Sequence, residues 1–497
     1  MTNVLYDALI APHAGNPAPF LVDDHGVTTT YDAFVRRAAQ MANVLLDAGV
    51  QPGDRVVAQV PKTADAMALY AGSLQAGAVY LPLNNAYTEA ELGYFLADAT
   101  PKLVVCAAAT EEMMRRLCQP IAARVMTLDD GETGTLSLAA SGAKPHCDPV
   151  PRGPDDLAGL LYTSGTTGRA KGAMMSHRNL LSNASALTAL WQITDKDNLL
   201  HALPIFHTHG LFVAMNTSLL SGACVRFMAR FDLDGFIAAL PEATLVMGVP
   251  TFYTRLLNDH RFSAETCAKM RLFISGSAPL LAETHTAFAA RTGHQILERY
   301  GMTETNMITS NPYAGARIAG TVGFALPGIE VVVTQDGHPL PHGEVGMIEV
   351  RGDNVFQGYW NMPDKTREDL RTNGFFITGD LGVIDSEGRV SIVGRQKDLV
   401  ISGGYNIYPK EVEDLLNAID GIEESAVFGI PDPDLGEQVV AALVTEHEAF
   451  DLAGVQAHVA SALAAFKRPK RYVIHDSLPR NAMGKVQKNI LRQMYSD

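Results

Sequence analysis

Three stretches near the start of the chain have apolar residues at helical spacing, and each gives way through a turn to a short apolar run. Tyr31 to Ala48 stops at Gly49, and Gln51-Pro52-Gly53-Asp54 leads into Arg55 to Val60. Ala64 to Ala76 precedes Val79-Tyr80-Leu81-Pro82-Leu83, and Glu89 to Ala97 precedes Lys102 to Cys106. A helical stripe followed by a short apolar run is an αβ unit, and repeated units predict layered α/β with parallel strands. This pattern excludes an all-helical bundle and an all-β sandwich for the first part of the chain.

The pattern continues and then changes. Leu157 to Leu161 reads as a buried strand running into Tyr162 to Gly172, a loop of hydroxyls and glycines ending in Lys171. Inward-pointing N–H groups, hydroxyl donors and one cation suit phosphate, although the loop lacks the GK[ST] ending of a kinase-type P-loop. Asn179 to Leu190 reads as a helix and Asn198 to Pro204 as a strand entering Ile205 to Gly210. Thr244 to Pro250 reads as a strand and Phe252 to Asn258 as a helix. Leu272 to Ser275 then runs into the small residues Gly276-Ser277-Ala278-Pro279, a turn suited to close approach by a flat ligand. From Val322 the texture is short alternating strands with Gly-rich turns. Beyond Gly394 to Asp398 come a helix at Glu411 to Ile419, strands at Ala426 to Gly429 and Val439 to Val444, and a helix at Leu452 to Phe466. That segment reads as a separate small α+β domain with its boundary near Lys397.

A chain of 497 residues exceeds one core, so two or more domains are expected. With 39 basic and 54 acidic residues the formal net charge is -15, which repels nucleic acid and anionic membrane. Any anionic ligand must therefore be met locally. Five widely spaced cysteines form neither a disulfide framework nor a zinc site. With no signal pattern at the N-terminus and no apolar run of spanning length, a soluble, cytoplasmic protein is expected. His207 and His209 supply only two ligands with no acidic or cysteine partner nearby, so a pocket wall is the simpler reading than a metal site. Lys467 to Arg471 is the one dense basic run, either a solvated face or a contact for an anionic cofactor.

Six stretches in order resemble the acyl- and aryl-CoA synthetase, luciferase and nonribosomal-peptide adenylation superfamily. They are Tyr162 to Gly172, Tyr300-Gly301-Met302-Thr303-Glu304, Thr378-Gly379-Asp380, Gly394 to Asp398, Gly403 to Pro409, and Pro479 to Lys485. Ala170 departs from the proline frequent in that family. The resemblance implies a large N-terminal domain of layered α/β subdomains with a small β-barrel-like subdomain, residues 1–396. It adds a small mobile α+β C-terminal domain, residues 397–497, turning about Lys397. It implies that a carboxylate attacks the α-phosphate of ATP and that coenzyme A then displaces AMP.

The same resemblance assigns roles. Thr163, Ser164, Gly165, Thr166, Thr167, Gly168 and Lys171 would hold the leaving phosphates, Thr303 the α-phosphate, and Glu304 a Mg²⁺ ion. Tyr300 and Gly276, Ser277 and Ala278 would flank adenine, with Glu298 in the same ATP site, and Asp380 and Arg395 would take the ribose. Lys485 would bridge the substrate carboxylate and the α-phosphate, and His207 would gate the thiol's path. Gly403, Gly404, Tyr405 and Arg471 would meet coenzyme A. Lys485 also sits in a setting like those controlled by a lysine acetyltransferase and deacetylase. Monomer and homodimer both stay open.

The acid is read from Arg299, which stands where relatives accepting long or aromatic acids have glycine. A guanidinium at a pocket floor shortens the pocket and demands an anion. The alternative is a pairing with Glu298. With Arg255, His209 and Ser277 as further donors, the chain resembles the branch that activates malonate, with methylmalonate a weaker substrate. The rival readings are a ligase for another short or aryl acid, an enzyme that loads a carrier protein, and a non-catalytic nucleotide sensor.

Overall fold

The computed structural model describes residues 2–163, 170–445, 450–481 and 484–496. Its described residues form a mixed α/β protein with a large N-terminal and a small C-terminal domain. The early αβ units form as their patterns predict: helices Tyr31–Asp47, Ala64–Gln75 and Glu89–Ala99 alternate with strands Arg55–Gln59, Val79–Pro82 and Leu103–Cys106. Each helix starts where a threonine hydroxyl accepts a backbone N–H, at Thr30, Thr63 and Thr88. Gly72 lets the first two helices close together, since a Cβ there would lie 2.8 Å from the Ala38 carbonyl oxygen and from Met41 Cβ.

These strands belong to a sheet ordered Arg124–Thr127, Leu103–Cys106, Arg55–Gln59, Val79–Pro82, Leu157–Thr163, Lys171–Ser176, parallel except for the last pair. A second sheet runs Phe324–Ala325, Asn306–Ser310, Leu297–Met302, Leu272–Ser275, Leu245–Gly248, Asn198–His201, Cys224–Phe227, Pro19–Val22, Thr28–Thr30. Its central pairs are parallel and its ends antiparallel. One large core, including Tyr31, Tyr70, Trp191 and Phe273, joins helices and strands of both sheets.

The β-barrel-like subdomain is corrected to an open sheet. His338–Pro339, Ile329–Gln335, Gly346–Gly352, Phe376–Ile384 and Val390–Arg395 pair in that order, and among the described residues the outer two strands do not pair with each other. The first edge strand is two exposed residues, one of them a proline without an N–H to donate. The expected strand Asn198 to Pro204 ends at His201, and the chain winds into a π-helix, His209–Met215. Gly210 makes that possible, because a Cβ there would sit 2.1 Å from the Pro204 carbonyl oxygen.

In the C-terminal domain Tyr405–Ile407, Val400–Ser402, Gly436–Thr445 and Ile422–Asp432 form a sheet, with Arg471–His475 parallel to Gly436–Thr445. Helices Pro409–Asn417 and Leu452–Ala462 cover one face, and Lys488–Tyr495 covers the other. No described helix is long and apolar enough to cross a membrane. All five cysteines are free.

Candidate active site

The carboxyl ends of the parallel strands in the second sheet converge, as ligand sites in open α/β sheets do. Leu272–Ser275 ends at Gly276 and Ser277, Asn198–His201 leads to His207 and His209, and Leu297–Met302 carries Arg299 and Tyr300. Ser277 has φ +70, a strained position for a residue with a side chain. Its hydroxyl lies 3.2 Å from His209 Nδ1, and the His209 backbone N–H donates to His207 Nδ1 at 3.3 Å. Burial, then the Arg299 charge, holds His207 down to about 4 and His209 well below the usual histidine range, so both rings are neutral near pH 7.

Arg299 is 4% exposed, and its Nε and Nη2 have no hydrogen-bond partner among the described residues. Burial pushes the guanidinium down to about 9, opposed by the neighbouring Tyr253 phenol. The alternative pairing with Glu298 does not form. Successive strand residues point to opposite faces, and Glu298 is itself buried with Oε1 unpartnered and its carboxyl pushed up to about 8 by desolvation. A buried, unpaired guanidinium costs several kcal/mol, so the pocket is arranged for an anion that the chain does not supply. His209 Nε2, Thr208 Oγ1 and Ser275 Oγ are further buried polar atoms here without a partner among the described residues.

On the nucleotide side, the Tyr300 hydroxyl donates to Asp380 Oδ2 at 2.6 Å, and Arg395 Nε meets Asp380 Oδ1 at 2.8 Å. Lys485 lies close enough to feel both Arg395 and Asp380. Burial first, then the Arg395 charge, brings its amine down to about 8, against the attraction of Asp380. The Lys485 loop abuts the N-terminal turn of helix Pro250–Leu257, where a Cβ on Gly484 would lie 3.5 Å from Thr251 Oγ1.

Thr163 and Lys171 are register partners on adjacent antiparallel strands. Lys171 Nζ lies 4.4 Å from the centroid of the Tyr359 ring and 3.9 Å from Asp369. The Tyr359 hydroxyl donates to Glu304 Oε1 at 3.0 Å. Glu304 is 6% exposed, and desolvation raises its carboxyl above the usual range, opposed by the Lys171 charge among others. One oriented carboxylate beside a lysine fits Mg²⁺, which takes one or two protein carboxylates and completes its shell with phosphate and water. Among the described residues no cluster of three or more acidic, histidine or cysteine side chains could hold a metal by itself. Thr303 lies in the turn between Leu297–Met302 and Asn306–Ser310, made tight by Gly301, whose Cβ would meet the Asn306 carbonyl oxygen at 2.1 Å.

Ser164, Gly165, Thr166, Thr167 and Gly168 lie outside the described residues. Arg255 is corrected: it is exposed, its guanidinium lies over the Phe231 ring at 5.9 Å, and it is not brought to Arg299. It stands two residues after Tyr253, which faces Arg299, and two helical steps turn a side chain about 200° away. Ala278 continues the turn after Ser277. Gly403 and Gly404 have φ +58 and +85, and Tyr405 stacks on Phe466 with centroids 4.5 Å apart. Arg471 is also separated from that group. It lies over the Tyr495 ring at 4.9 Å, on the sheet face covered by the C-terminal helix, whereas Phe466 packs into the core on the other face. Burial, opposed by Asp398, brings the Lys397 amine down to about 8.

Sequence reasoning missed Tyr359, Asp369 and Tyr253. Each meets a partner distant in sequence, and neither a tyrosine in an apolar segment nor one acid in the charged helix Pro363–Asp369 carries a local signal for that.

A buried guanidinium without a partner among the described residues, a carboxylate beside a lysine, and a second buried lysine reaching in from the C-terminal domain define an enzyme that activates an acid with a nucleotide. Residues 11–360 match the AMP-binding enzyme family and residues 411–485 its C-terminal domain, and the chain belongs to that family. It is 51% identical to the ATP-bound MatB of Rhodopseudomonas palustris, covering 100% of this chain and 99% of that one at a TM-score of 0.98. Against the apo form of MatB, at the same identity and coverage, the TM-score is 0.87. The chain is 34% identical over 479 residues to a malonate--CoA ligase of Arabidopsis thaliana, covering 90% of this chain and 78% of that protein. It is equally 34% identical, over 495 residues, to a feruloyl-CoA synthase of an Amycolatopsis species, covering 98% and 97%.

Proposed function

We propose that the protein ligates malonate to coenzyme A, forming a malonyl-adenylate from ATP and releasing pyrophosphate, then forming malonyl-CoA and AMP. The observation that carries the acid is the buried Arg299 guanidinium, whose Nε and Nη2 have no partner among the described residues. The malonate and ferulate relatives at 34% identity are equally similar, so between those two acids it is the pocket that discriminates. A feruloyl group would bring an apolar ring against an unpaired cation. Malonate brings its second carboxylate, which can accept one N–H from each of Arg299 Nε and Nη2. Ser277 and His209 add neutral donors to the same wall.

The first step brings two anions together, so the chain must supply positive charge and oriented donors. Lys485 stabilises the charge shared between the malonate carboxylate and the α-phosphate, and Thr303 donates to that phosphate. One carboxylate oxygen forms the new bond to phosphorus while the bond to the leaving pyrophosphate breaks. Lys171, with Thr163 and the loop 164–168, holds the pyrophosphate. Glu304 would hold Mg²⁺, which supplies neutralisation of phosphate charge when bound. Tyr300 and the turn Gly276 to Ala278 flank adenine beside Glu298. Asp380, oriented by Arg395, accepts from the ribose hydroxyls.

Residues 397–497 then turn about Lys397 as one body. The turn withdraws Lys485 and brings Gly403, Gly404 and Tyr405 to coenzyme A, whose thiol attacks the malonyl carbonyl past His207 and releases AMP. The higher TM-score against the ATP-bound than the apo MatB supports reading the described arrangement as the adenylating one. Lys485 is also our proposed target for acetylation and deacetylation, since an acetyl group removes the charge that step one uses. Free cysteines are consistent with a cytoplasmic setting. Pyrophosphate release measured with malonate, methylmalonate, acetate, butyrate and ferulate tests the reading. Malonate should give the highest kcat/KM, and a higher value for ferulate or butyrate would overturn it.

A further inference from the structure

Lys62 lies outside every role assigned so far, yet its amine joins the two large sheets beside the acid pocket. It follows strand Arg55–Gln59 of one sheet and directly precedes Thr63, the cap of helix Ala64–Gln75. Its Nζ reaches His201 at the end of Asn198–His201 in the other sheet, 2.7 Å from Nδ1 and 2.9 Å from the carbonyl oxygen. The amine also lies 4.5 Å from the centroid of the Phe227 ring. A Lys N–H donated to Nδ1 requires that nitrogen to be unprotonated, so the His201 proton is on Nε2. Nε2 lies 2.8 Å from the Gly210 carbonyl oxygen and donates to it.

Gly210 is the residue after His209, and it packs so closely on Pro204 that a Cβ there would lie 2.1 Å from the Pro204 carbonyl oxygen. The backbone at the start of the π-helix is thus held from one side by Pro204 and from the other by His201. His209 in turn faces Ser277 and has its Nε2 unpaired. The chain of contacts runs from Lys62 through His201 and Gly210 to the wall that faces the acid. Desolvation holds both Lys62 and His201 well below their usual ranges, which keeps the ring neutral and able to accept. Asp24 is the charged neighbour that opposes the Lys62 shift, and its carboxylate accepts the Ala229 N–H at 2.9 Å.

We infer that Lys62 is a positioning residue for the acid subsite: by fixing the His201 tautomer it fixes the Gly210 carbonyl and, through it, His209. A lysine this enclosed, with hydrogen bonds to both the ring and the carbonyl oxygen of one histidine, contributes more to geometry than to net charge. The inference rests on reading His209 and Arg299 as the acid-binding wall.

The test is Lys62→Met, with the KM for the acid and the KM for ATP measured separately in the full chain. The expected result is an acid KM raised about tenfold, the equivalent of one lost hydrogen bond, with the ATP KM within about twofold. Lys62→Arg, which keeps donors on a long stem, should stay within about threefold for both. An acid KM unchanged in Lys62→Met, or acid and ATP KM values rising together, overturns the inference. If Lys62→Met does not fold, His201→Phe, which removes the donor to Gly210, is read by the same split. The acid used is the one the wild type turns over best, so a wild type that prefers an acid other than malonate defeats the malonate reading and leaves this test intact.

Discussion

The Arg299 guanidinium occupies the space that a β-carbon on Gly276 would need. Such an atom would lie 2.3 Å from Cζ, 2.4 Å from Nη1 and 2.6 Å from Nε. The turn after Leu272–Ser275 therefore sets the position of the charge, and the absence of a side chain at Gly276 is part of the proposed acid pocket. Gly276→Ala should push the guanidinium off its site and lower the malonate-to-acetate ratio of kcat/KM at least tenfold. A ratio unchanged from wild type would show that the pocket accommodates the methyl group without moving Arg299.

Lys485 gives a pH signature. Its amine is brought down to about 8, below the usual lysine value near 10.5, so it is charged below pH 8 and loses its proton as pH rises through that value. Pyrophosphate release should fall above pH 8 accordingly. Lys485→Ala should lose adenylation with every acid by a factor on the order of a hundred or more. Thioester formation from supplied malonyl-adenylate and coenzyme A should persist in that variant. Equal loss of both half-reactions would remove the domain turn from the account.

Acid should destabilise the protein through its buried histidines. His13, His177, His201, His207, His209, His285 and His294 are all held below the usual value of 6.5, first by desolvation. Between about 4 and 6.5 the unfolded chain binds protons at these rings that the folded chain refuses, so stability falls as pH drops through that window. Thermal unfolding followed at pH 7, 6, 5 and 4.5 should show Tm falling steadily below 6.5. A Tm that is flat down to pH 4.5 contradicts the neutral assignment of these rings.

Tyr359 should matter to the metal. Its hydroxyl helps keep the Glu304 carboxyl ionised, and Tyr359→Phe removes that donor while keeping the ring under Lys171. A hydrogen bond to a charged group is worth about 1.5–3 kcal/mol, so half-maximal turnover should need about tenfold more Mg²⁺, with the deficit larger at low pH. A Mg²⁺ titration of the folded variant that matches wild type would exclude Tyr359 from this role.

Much of the architecture was legible in the sequence because periodicity is a local property. The helices from Tyr31, Ala64 and Glu89 begin within a residue of their hydroxyl caps, and the apolar runs after them are buried strands. The barrel expectation came from resemblance, and closure depends on pairing of distant edges that no local pattern encodes. Arg255 illustrates the same limit at the site: its sequence neighbourhood suggested the pocket, but helix phase turned it onto Phe231. Arg299 was legible because a charge in an apolar strand has few stable environments, whereas Tyr359 was not, because its partner Glu304 is 55 residues away.

The most direct test of the central claim, that Arg299 selects a dicarboxylate, is kcat/KM for malonate and butyrate in wild type and in Arg299→Gly. The account predicts that wild type prefers malonate and that the variant loses at least a hundredfold on malonate while gaining on butyrate, since the cation is gone and the pocket lengthened. A variant that retains wild-type malonate turnover, or a wild type that turns over butyrate equally well, would contradict it.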